Sequence, residues 1–291
     1  MKTHTKGSVQ VILSSALYGF TPILVKLSYS GGSNGITASF LRGLFSALFL
    51  LPLILVRKQE KRIPLRIVVK ALAAGFLGNG ATTILLYMSY SYIPVGMTTT
   101  IHFIYPAATA VMSMVLFQSR LSRKALLALF LNLAGVGLMS SSDFSFHLQG
   151  IILALLSGFT YSFYILYISK SEVRTMPDLH LAFFVNISLV TEALVYGMVT
   201  RQLSLRLTPD AWMLSAMVAL LASVFAQILF QSGNRIIGAP NAAIISVLEP
   251  AASVLLGSVF LSEVMTGKAL IGCACVLIGV VLASLPAKST T

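Results

Sequence analysis

Three ionisable side chains lie deep inside long apolar stretches of the sequence, namely Arg42, Glu192 and Glu249. Glu249 lies about ten residues into its stretch, which corresponds to roughly 15 Å along a helix. A charge near the middle of a bilayer is costly, and such residues usually have a partner or a function. Glu249 therefore predicts a site for a proton or for the cationic group of a substrate. Arg42 requires a partner, and Glu192 is either that partner or a lone acid.

Polar side chains also recur along one face of two other apolar stretches. Asn79, Thr83 and Tyr87 follow each other every four residues, which places them on one side of a helix. The positions 144 residues after Thr83 and Tyr87 are Gln227 and Gln231. Such groups in a membrane either form hydrogen bonds between helices or line a polar cavity. The repetition of the pattern favours a cavity.

A second pair of polar residues precedes a proline. His102 and Tyr105 lie in the stretch HFIYP just before Pro106, as Glu249 lies just before Pro250. Proline removes a hydrogen bond from a helix and kinks it. Each kink is either purely structural or frees a backbone carbonyl beside the candidate residues.

Aromatic and hydroxyl side chains complete the candidate set. Thr21 lies in the first apolar stretch, and Tyr161 and Tyr164 lie in the sixth, where tyrosine rings can stack on an organic substrate or a cation. Tyr90 and Tyr92 lie near the end of a stretch and are interpreted as interfacial anchors. The predicted substrate-binding residues are Glu249, His102, Tyr105, Asn79, Thr83, Tyr87, Gln227, Gln231, Thr21, Tyr161 and Tyr164. The predicted coupling or intramembrane charges are Glu249, Arg42 and Glu192.

These residues need membrane-spanning helices to position them. The chain of 291 residues is 57% hydrophobic and 10% charged, whereas soluble domains are roughly half apolar and about a quarter charged. Its apolar stretches run on for about 20 residues without the alternation of a β-barrel strand. We therefore predict an all-α integral membrane protein with ten transmembrane helices. The predicted spans are 8–27, 34–56, 67–92, 95–118, 124–140, 149–168, 180–200, 210–233, 239–262 and 266–285.

The basic residues are distributed unequally between the two sides of these spans. One side carries only Arg201, Arg206 and Lys268, and the other carries the rest of the lysines and arginines outside the spans. Positively charged loops stay in the cytoplasm. We therefore expect a multi-pass protein of the cytoplasmic (inner) membrane with both termini in the cytoplasm. The net charge of +12 is then a topology signal and not a nucleic-acid surface.

The sequence contains an internal repeat. The stretch IYPAATAVMSMVLF from Ile104 aligns without a gap with LEPAASVLLGSVFL from Leu248, at a shift of 144. The repeat divides the chain into two five-helix units, 1–141 with helices 1–5 and 148–286 with helices 6–10. Because five is odd, the second unit enters the membrane in the opposite sense. Inverted repeats of this kind are typical of secondary transporters.

Several motifs resemble a known family. The stretches YGFTPILVK, SFLRGLFSA and LEPAASVLLGSVFLSEVMTGKALIGCACVLIGVVL, together with the two halves, are similar to the ten-helix bacterial EamA family of the drug/metabolite transporter superfamily. The resemblance covers nearly the whole chain and implies a carrier that moves small metabolites, amino acids or drugs, often outward. The first half departs from the pattern, because His102 and Tyr105 stand where the second half has Ser246 and Glu249.

We therefore expect a secondary transporter that exports a small polar organic metabolite or amino acid by alternating access, either coupled to protons or as a facilitated carrier. An uptake permease of the same fold is the nearest alternative. The alternative from another class is a membrane enzyme or a lipid-binding scaffold. The sequence has no zinc motif, GxSxG or P-loop, so we expect no enzymatic activity and no cofactor or metal. The expected partners are the substrate and the lipid bilayer, without nucleic acid, and the oligomeric state is left open.

Overall fold

The computed structural model describes residues 2–56, 63–93, 95–118, 121–139, 147–253 and 267–284. Every regular element in these ranges is helical, as predicted. The α-helices are α1 Lys2–Tyr18, α2 Thr21–Ser30, α3 Gly35–Val56, α4 Leu65–Ala74, α5 Ala81–Ser89, α6 Val95–His102, α7 Tyr105–Phe117, α8 Arg123–Met139, α9 Leu148–Lys170, α10 Asp178–Val199, α11 Pro209–Val218, α12 Gln227–Ile237, α13 Ala239–Ser246 and α14 Gly267–Ser284. Two π-helices, Gly75–Gly80 and Ala219–Ala226, and a 3-10 helix, Glu172–Thr175, join them, and residues 248–253 are also helical.

Seven helical stretches of the described residues are long and apolar enough to cross a membrane. They are Thr3–Ser30, Gly35–Val56, Leu65–Ser89, Met97–Phe117, Leu148–Lys170, Asp178–Val199 and Pro209–Ile237, and they correspond to seven of the ten predicted spans. The fifth predicted span forms α8, a helix of 17 residues, and the tenth contains the shorter apolar helix Leu270–Ala283. The ninth lies partly outside the described residues, so the count of ten stays a prediction.

Three of the spans contain a helix that ends four residues before a proline. The pairs are Tyr18 and Pro22, His102 and Pro106, and Ser246 and Pro250. Proline has no N–H group, and its ring clashes with the carbonyl four residues earlier. Proline thus favours each of these breaks, although Pro52 lies inside α3 without ending it. Each break lies beside a predicted site residue.

Two further spans each contain a π-helix. The segments Gly75–Gly80 and Ala219–Ala226 begin 144 residues apart, which is the shift of the sequence repeat. Asn79 lies in the first segment and Ser223 in the second, at the same shift. A π-helix has i→i+5 hydrogen bonds and occurs frequently at functional sites. The two parts of the chain thus share a local irregularity that periodicity does not reveal.

The main helix contacts join the first part of the chain to the second. Among others, α1 packs on α12, α5 on α9, α3 on α10, α7 on α13 and α8 on α14. Exchanging the repeat-related spans converts the first contact into the second and maps α3–α10 and α8–α14 onto themselves, whereas the counterpart of α13 at the shift of 144 is α6. Glycine allows the closest approach, since a Cβ on Gly135 of α8 would lie 2.7 Å from the carbonyl oxygen of Gly272 in α14.

The surface of the bundle is apolar. Large hydrophobic side chains are exposed, for example Val56 at 83%, Val199 at 79% and Phe130 at 70%. In contrast, Arg42 is only 6% exposed and Gln231 is fully buried. This distribution is the reverse of that in a soluble protein and suits a bilayer, in which polar groups must find partners inside the protein. The chain is a multi-pass membrane protein with a polar interior.

Candidate functional site

A cavity lies between the spans, with walls from both parts of the chain. It contains about 480 Å³ of empty space, including the part open to solvent. The lining residues are Tyr18, Thr21, Pro22, Arg42, Asn79, Thr82, Thr83, Leu86, Tyr87, Tyr90, His102, Tyr161 and Glu249. They come from the break between α1 and α2, from α3, from the first π-helix and α5, from the end of α6, from α9, and from the segment after α13.

Glu249 is positioned by close contact between two of the helix breaks. Gly19 lies in the break after α1, and a Cβ there would lie 2.9 Å from Cβ of Ala252 and 3.2 Å from the backbone oxygen of Glu249. The Ser253 hydroxyl donates a hydrogen bond of 2.7 Å to the Gly19 carbonyl. The Glu249 carboxyl itself has no hydrogen bond or ion pair with a described residue. It therefore faces the cavity without a partner among the residues that the structure describes.

Arg42 on α3 is held by two hydroxyl groups. Its Nε donates to Oγ of Ser223 at 2.9 Å, and one Nη donates to the phenol oxygen of Tyr87 at 3.0 Å. The guanidinium carbon also lies 5.8 Å from the centre of the Tyr87 ring. No carboxylate of a described residue lies within 4.0 Å of this side chain. The option that Glu192 pairs with Arg42 is therefore wrong, because Ser223 and Tyr87 reach the guanidinium instead.

The tautomer of His102 follows from its hydrogen bonds. Nδ1 lies 2.8 Å from Oγ of Ser157, and that hydroxyl donates to the carbonyl of Ala154 at 2.6 Å. A serine hydroxyl has only one proton, so toward His102 it acts as the acceptor. We therefore expect Nδ1 to carry the proton, which leaves Nε2 of the neutral ring as an acceptor. Nε2 makes no hydrogen bond to any residue that the structure describes.

Tyrosine rings form much of the cavity wall. Tyr87 stacks on Tyr90 with ring centres 5.9 Å apart, and Tyr161 lies 5.7 Å from the His102 ring. Tyr90 is 2% exposed, so the interpretation of this residue as an interfacial anchor is wrong. Its ring is buried because it packs on Tyr87 within the bundle.

The cavity brings together most of the predicted site residues. Those that line it are Glu249, His102, Asn79, Thr83, Tyr87, Thr21, Tyr161 and Arg42. Two of them carry polar atoms that are buried without a hydrogen bond to the described part of the chain, namely Nδ2 of Asn79 and Oγ1 of Thr21. The cavity therefore has unused hydrogen-bonding capacity in addition to its charges.

Tyr164, Gln227 and Gln231 are not among the lining residues and form a separate cluster. The phenol oxygen of Tyr164 accepts from Nε2 of Gln231 at 2.8 Å and from Nε2 of Gln227 at 3.4 Å. Asn186 donates to Oε1 of Gln227 at 2.9 Å. These side chains bond to one another, as the interhelical hydrogen-bonding interpretation of the polar face predicts, although Oε1 of Gln231 and Oδ1 of Asn186 make no hydrogen bond to a described residue.

Two other predicted residues also lie outside the cavity wall. Tyr105 is 1% exposed and packs behind Tyr161, with ring centres 4.9 Å apart. The Glu192 carboxyl packs against Gly80, and its Oε2 is buried without a hydrogen bond to a described residue. The structure therefore separates Glu192 from both Arg42 and the cavity.

Sequence periodicity would have found some of the missed residues. Beyond the predicted set, the lining includes Tyr18, Pro22, Thr82, Leu86 and Tyr90. Thr82, Leu86 and Tyr90 follow Asn79 by 3, 7 and 11 residues, which is the spacing of one helix face. A search for polar residues does not select Leu86, because its side chain is apolar. The position of Tyr90 near the end of its span favours the interpretation as an interfacial anchor instead.

The arrangement is suited to binding a small polar molecule. Arg42 supplies a cationic donor, Glu249 and Nε2 of His102 supply acceptors, and the tyrosine rings supply flat apolar surfaces. Among the described residues, no group of three or more His, Cys, Asp or Glu side chains could hold a metal ion. The chemistry of the cavity is that of recognition through hydrogen bonds, charge and stacking.

Comparison with known sequences identifies a transporter family and relatives that are named as transporters. The model of the EamA-like transporter family matches residues 5–141 and again residues 148–285. An uncharacterized transporter of Synechocystis sp. is 26% identical, with 95% of this chain and 92% of that protein covered. An uncharacterized transporter of Archaeoglobus fulgidus is also 26% identical, with coverage of 95% and 96%. The uncharacterized transporter YwfM of Bacillus subtilis is 30% identical over 57% of this chain and 56% of its own length.

The fold also has a counterpart among solved structures. One crystal structure superimposes with a TM-score of 0.77 and covers 95% of this chain and 96% of its own chain. The two sequences are 16% identical, so the likeness concerns the fold alone.

Proposed function

The chain belongs to the EamA-like transporter family, and on that premise we propose that this membrane transporter exports a small polar organic metabolite or amino acid by alternating access. Residues 1–141 and 148–286 form the two inverted repeats of the proposal. The membrane is the cytoplasmic (inner) membrane, and both termini lie in the cytoplasm, as the distribution of lysine and arginine predicts.

The observation that carries the proposal is a polar cavity with walls from both parts of the chain. Arg42, Asn79 and Tyr87 come from the first part, and Tyr161 and Glu249 from the second. A site at the interface of two repeats can open to either side when one repeat moves against the other. A membrane enzyme or lipid-binding scaffold would not need walls from both repeats.

Glu249 is the proposed coupling group. Its carboxyl faces the cavity and has no partner among the described residues. It can therefore take up a proton on one side of the membrane and release it on the other, or exchange the proton for a substrate. In the exporter, an entering proton would replace the departing substrate at this carboxyl.

Transport in proteoliposomes tests this role. We expect Glu249→Gln to abolish the response of substrate flux to an imposed pH gradient, because glutamine cannot exchange a proton. Glu192→Gln is the matched control, since it removes an intramembrane carboxyl that lies outside the cavity, and it should keep the response. Full pH-dependent flux in Glu249→Gln would refute proton coupling at this residue.

The same vesicles decide the direction of transport. An exporter should drive substrate from the side of the termini outward when the outer side is acidic, whereas an uptake permease would accumulate substrate on the side of the termini. A compound that binds the purified protein but never crosses the vesicle membrane would favour the scaffold alternative.

A further inference from the structure

Asn132 is a fully buried amide on a helix that does not reach the cavity. α8 and α14 pack on each other, and no described residue of either helix is among those that line the cavity. The Asn132 side chain is 0% exposed, and its Nδ2 donates a hydrogen bond of 2.8 Å to the backbone oxygen of Ile244 in α13. Because a carbonyl oxygen can only accept, the nitrogen of the amide must be the atom that faces Ile244. The amide therefore joins α8 to the segment that leads to Glu249.

The Ile244 carbonyl lies at the break after α13. In an uninterrupted helix it would accept from the N–H group of Leu248, but α13 ends at Ser246. Across the break it accepts a longer hydrogen bond of 3.4 Å from the N–H group of Val247. A carbonyl that loses its helical donor inside a bilayer has no water to replace it. The amide of Asn132 therefore stabilises the broken form of the helix over the continuous form.

A glycine of α14 makes room for this amide. A Cβ on Gly279 would overlap Oδ1 of Asn132, so a larger residue would displace the side chain. Oδ1 makes no hydrogen bond to a described residue. The orientation of the amide therefore depends on the hydrogen bond to Ile244 and on the absence of a side chain at Gly279.

The sequence repeat has this amide in one half only. At the shift of 144, Asn132 corresponds to Val276, and Glu249 corresponds to Tyr105. A valine side chain has no hydrogen-bond donor, so Val276 cannot hold the break between α6 and α7 in the same way. The carboxyl and the amide thus belong to the same break.

The backbone after this break is held from the opposite direction. The Ser253 hydroxyl donates to the Gly19 carbonyl at 2.7 Å, and the backbone oxygen of Glu249 lies against Gly19. The segment is thus fixed by α8 before the break and by the first span after it. The direction of the Glu249 side chain depends on the angle between these two fixed parts.

We infer that Asn132 is a positioning residue that holds the break before Glu249 and thereby directs this carboxyl into the cavity. The inference rests on the proposed function, because it deepens the role that Glu249 has there. Without the amide, the Ile244 carbonyl takes its helical donor from Leu248. The straightened helix then turns position 249 away from the cavity.

The reactivity of position 249 toward a water-soluble thiol reagent tests the inference. Glu249→Cys is made in a full-length chain that also carries Cys273→Ala and Cys275→Ala, and its rate of reaction with sulfonatoethyl methanethiosulfonate is measured in detergent. We expect Asn132→Ala to slow this reaction about fivefold, the factor that corresponds to one ordinary hydrogen bond of about 1 kcal/mol. Thr83→Cys, in place of Glu249→Cys, reports on another part of the cavity wall and should react at an unchanged rate.

Gly279→Ala acts on the same amide from α14. Its methyl group displaces Oδ1 of Asn132, so it should also slow the reaction at position 249, and it keeps the test decisive if Asn132→Ala does not fold. In the Asn132→Ala background the amide is already gone, so Gly279→Ala should have no further effect on the rate.

Val276→Ala is the matched control for both variants. It truncates the fully buried residue that corresponds to Asn132 in the repeat, so it should lower the thermal midpoint without slowing the reaction at position 249. Unchanged rates in Asn132→Ala and Gly279→Ala would overturn the inference. Equal slowing in Val276→Ala, or equal slowing at positions 83 and 249, would overturn it as well, because the effect would then be a general loosening of the bundle.

Flux in vesicles separates this inference from the proposed function. With Glu249 intact, Asn132→Ala should reduce the response of substrate flux to an imposed pH gradient several-fold, whereas Val276→Ala should retain it. Slower labelling of position 249 with an unchanged flux response would keep Asn132 as a positioning residue and reject coupling by Glu249. Loss of the response in Glu249→Gln with unchanged labelling in Asn132→Ala would keep the coupling proposal and reject the inference.

Discussion

At the scale of single residues, the hydrogen bonds of one serine determine what His102 offers to the cavity. Ser157 is fully buried and donates to Ala154, so it accepts from Nδ1 of His102. The ring is thereby oriented with Nε2 as the free acceptor. Sequence spacing identified His102 as a candidate but gave no hint of Ser157 as the group that fixes its tautomer.

Nitrogen-15 NMR of histidine-labelled protein can measure this tautomer. We expect the neutral His102 ring to be protonated at Nδ1 in wild type, and Ser157→Ala to shift the population toward the Nε2-protonated form. The substitution removes the Ser157 hydroxyl, which is the acceptor for Nδ1 among the described residues. An ordinary hydrogen bond contributes about 1 kcal/mol.

Ser162→Ala is the matched control for that experiment. Ser162 lies on the same helix and is also buried, but its hydroxyl lies 3.0 Å from the carbonyl oxygen of Tyr105 and 2.9 Å from that of Gly158, either of which can accept its proton. The control should leave the His102 signal unchanged. A wild-type ring protonated at Nε2 would contradict the assignment.

At the scale of elements, the first π-helix packs through its glycines. A Cβ on Gly78 would lie 2.7 Å from Cβ of Tyr164 on α9, and a Cβ on Gly75 would lie 2.7 Å from Cβ of Ser188 on α10. The segment thus brings the backbone of the third span into direct contact with two spans of the other part of the chain. Larger residues here would push the cavity wall outward.

Gly78→Ala is therefore expected to destabilise the protein by about 1–3 kcal/mol, the usual cost of overpacking. It should lower the thermal midpoint in detergent and weaken ligand binding, because Tyr164 and the α9 backbone must shift. Gly137→Ala in α8 is the control, since nothing lies within 4 Å of a Cβ at that position. Equal midpoints for the two variants would show that the π-helix contact is not tight.

At the scale of the whole molecule, an ion-pair cluster links the start of the third span to the connection between α9 and α10, and so joins the two parts of the chain. Glu172, in the connection between α9 and α10, lies 2.7 Å from Nζ of Lys70 and 3.1 Å from the guanidinium of Arg66 on α4. The hydrogen bond from Lys70 and the charge of Arg66 lower the pKa of the Glu172 carboxyl. The folded state therefore favours the ionised form.

This shift predicts a pH-dependent contribution to stability. Because the folded pKa is lowered, the contribution is present above the unfolded value of about 4.3 and is lost as the pH falls through the folded value. We expect Glu172→Gln to lower the thermal midpoint at pH 7 slightly, since exposed ion pairs contribute little, and the difference to vanish at low pH. A double-mutant cycle with Lys70→Gln checks the origin, and additive effects would exclude this pairing.

The symmetry of the packing belongs to the same scale. The contacts of α3 with α10 and α8 with α14 map onto themselves when the two parts are exchanged, and α1 with α12 maps onto α9 with α5. The repeat in the sequence predicted two equivalent halves. It did not predict that the main helix partners would be found across the halves, because similarity between segments carries no information on which segments touch.

The sequence by itself determined the membrane environment and the helices, and it indicated where helices can break. Continuous apolar stretches require helices in a bilayer, and the helices before Pro22, Pro106 and Pro250 end four residues earlier, where the proline ring clashes with a helical carbonyl. Pro52 lies inside α3 without ending it, so proline alone does not decide whether a helix breaks. The same reasoning identified Arg42 and Glu249 as exceptional, since charges inside such stretches are costly.

Only the tertiary structure decided which polar residues face the cavity and which face each other. Asn79 and Gln231 both belong to polar faces with four-residue spacing, yet Asn79 lines the cavity whereas Gln231 donates to Tyr164. Periodicity defines a face of a helix, but the partner of that face comes from a span far away in sequence. In a membrane each buried polar group must be satisfied within the protein, so the choice between cavity and contact depends on the neighbour that packing supplies.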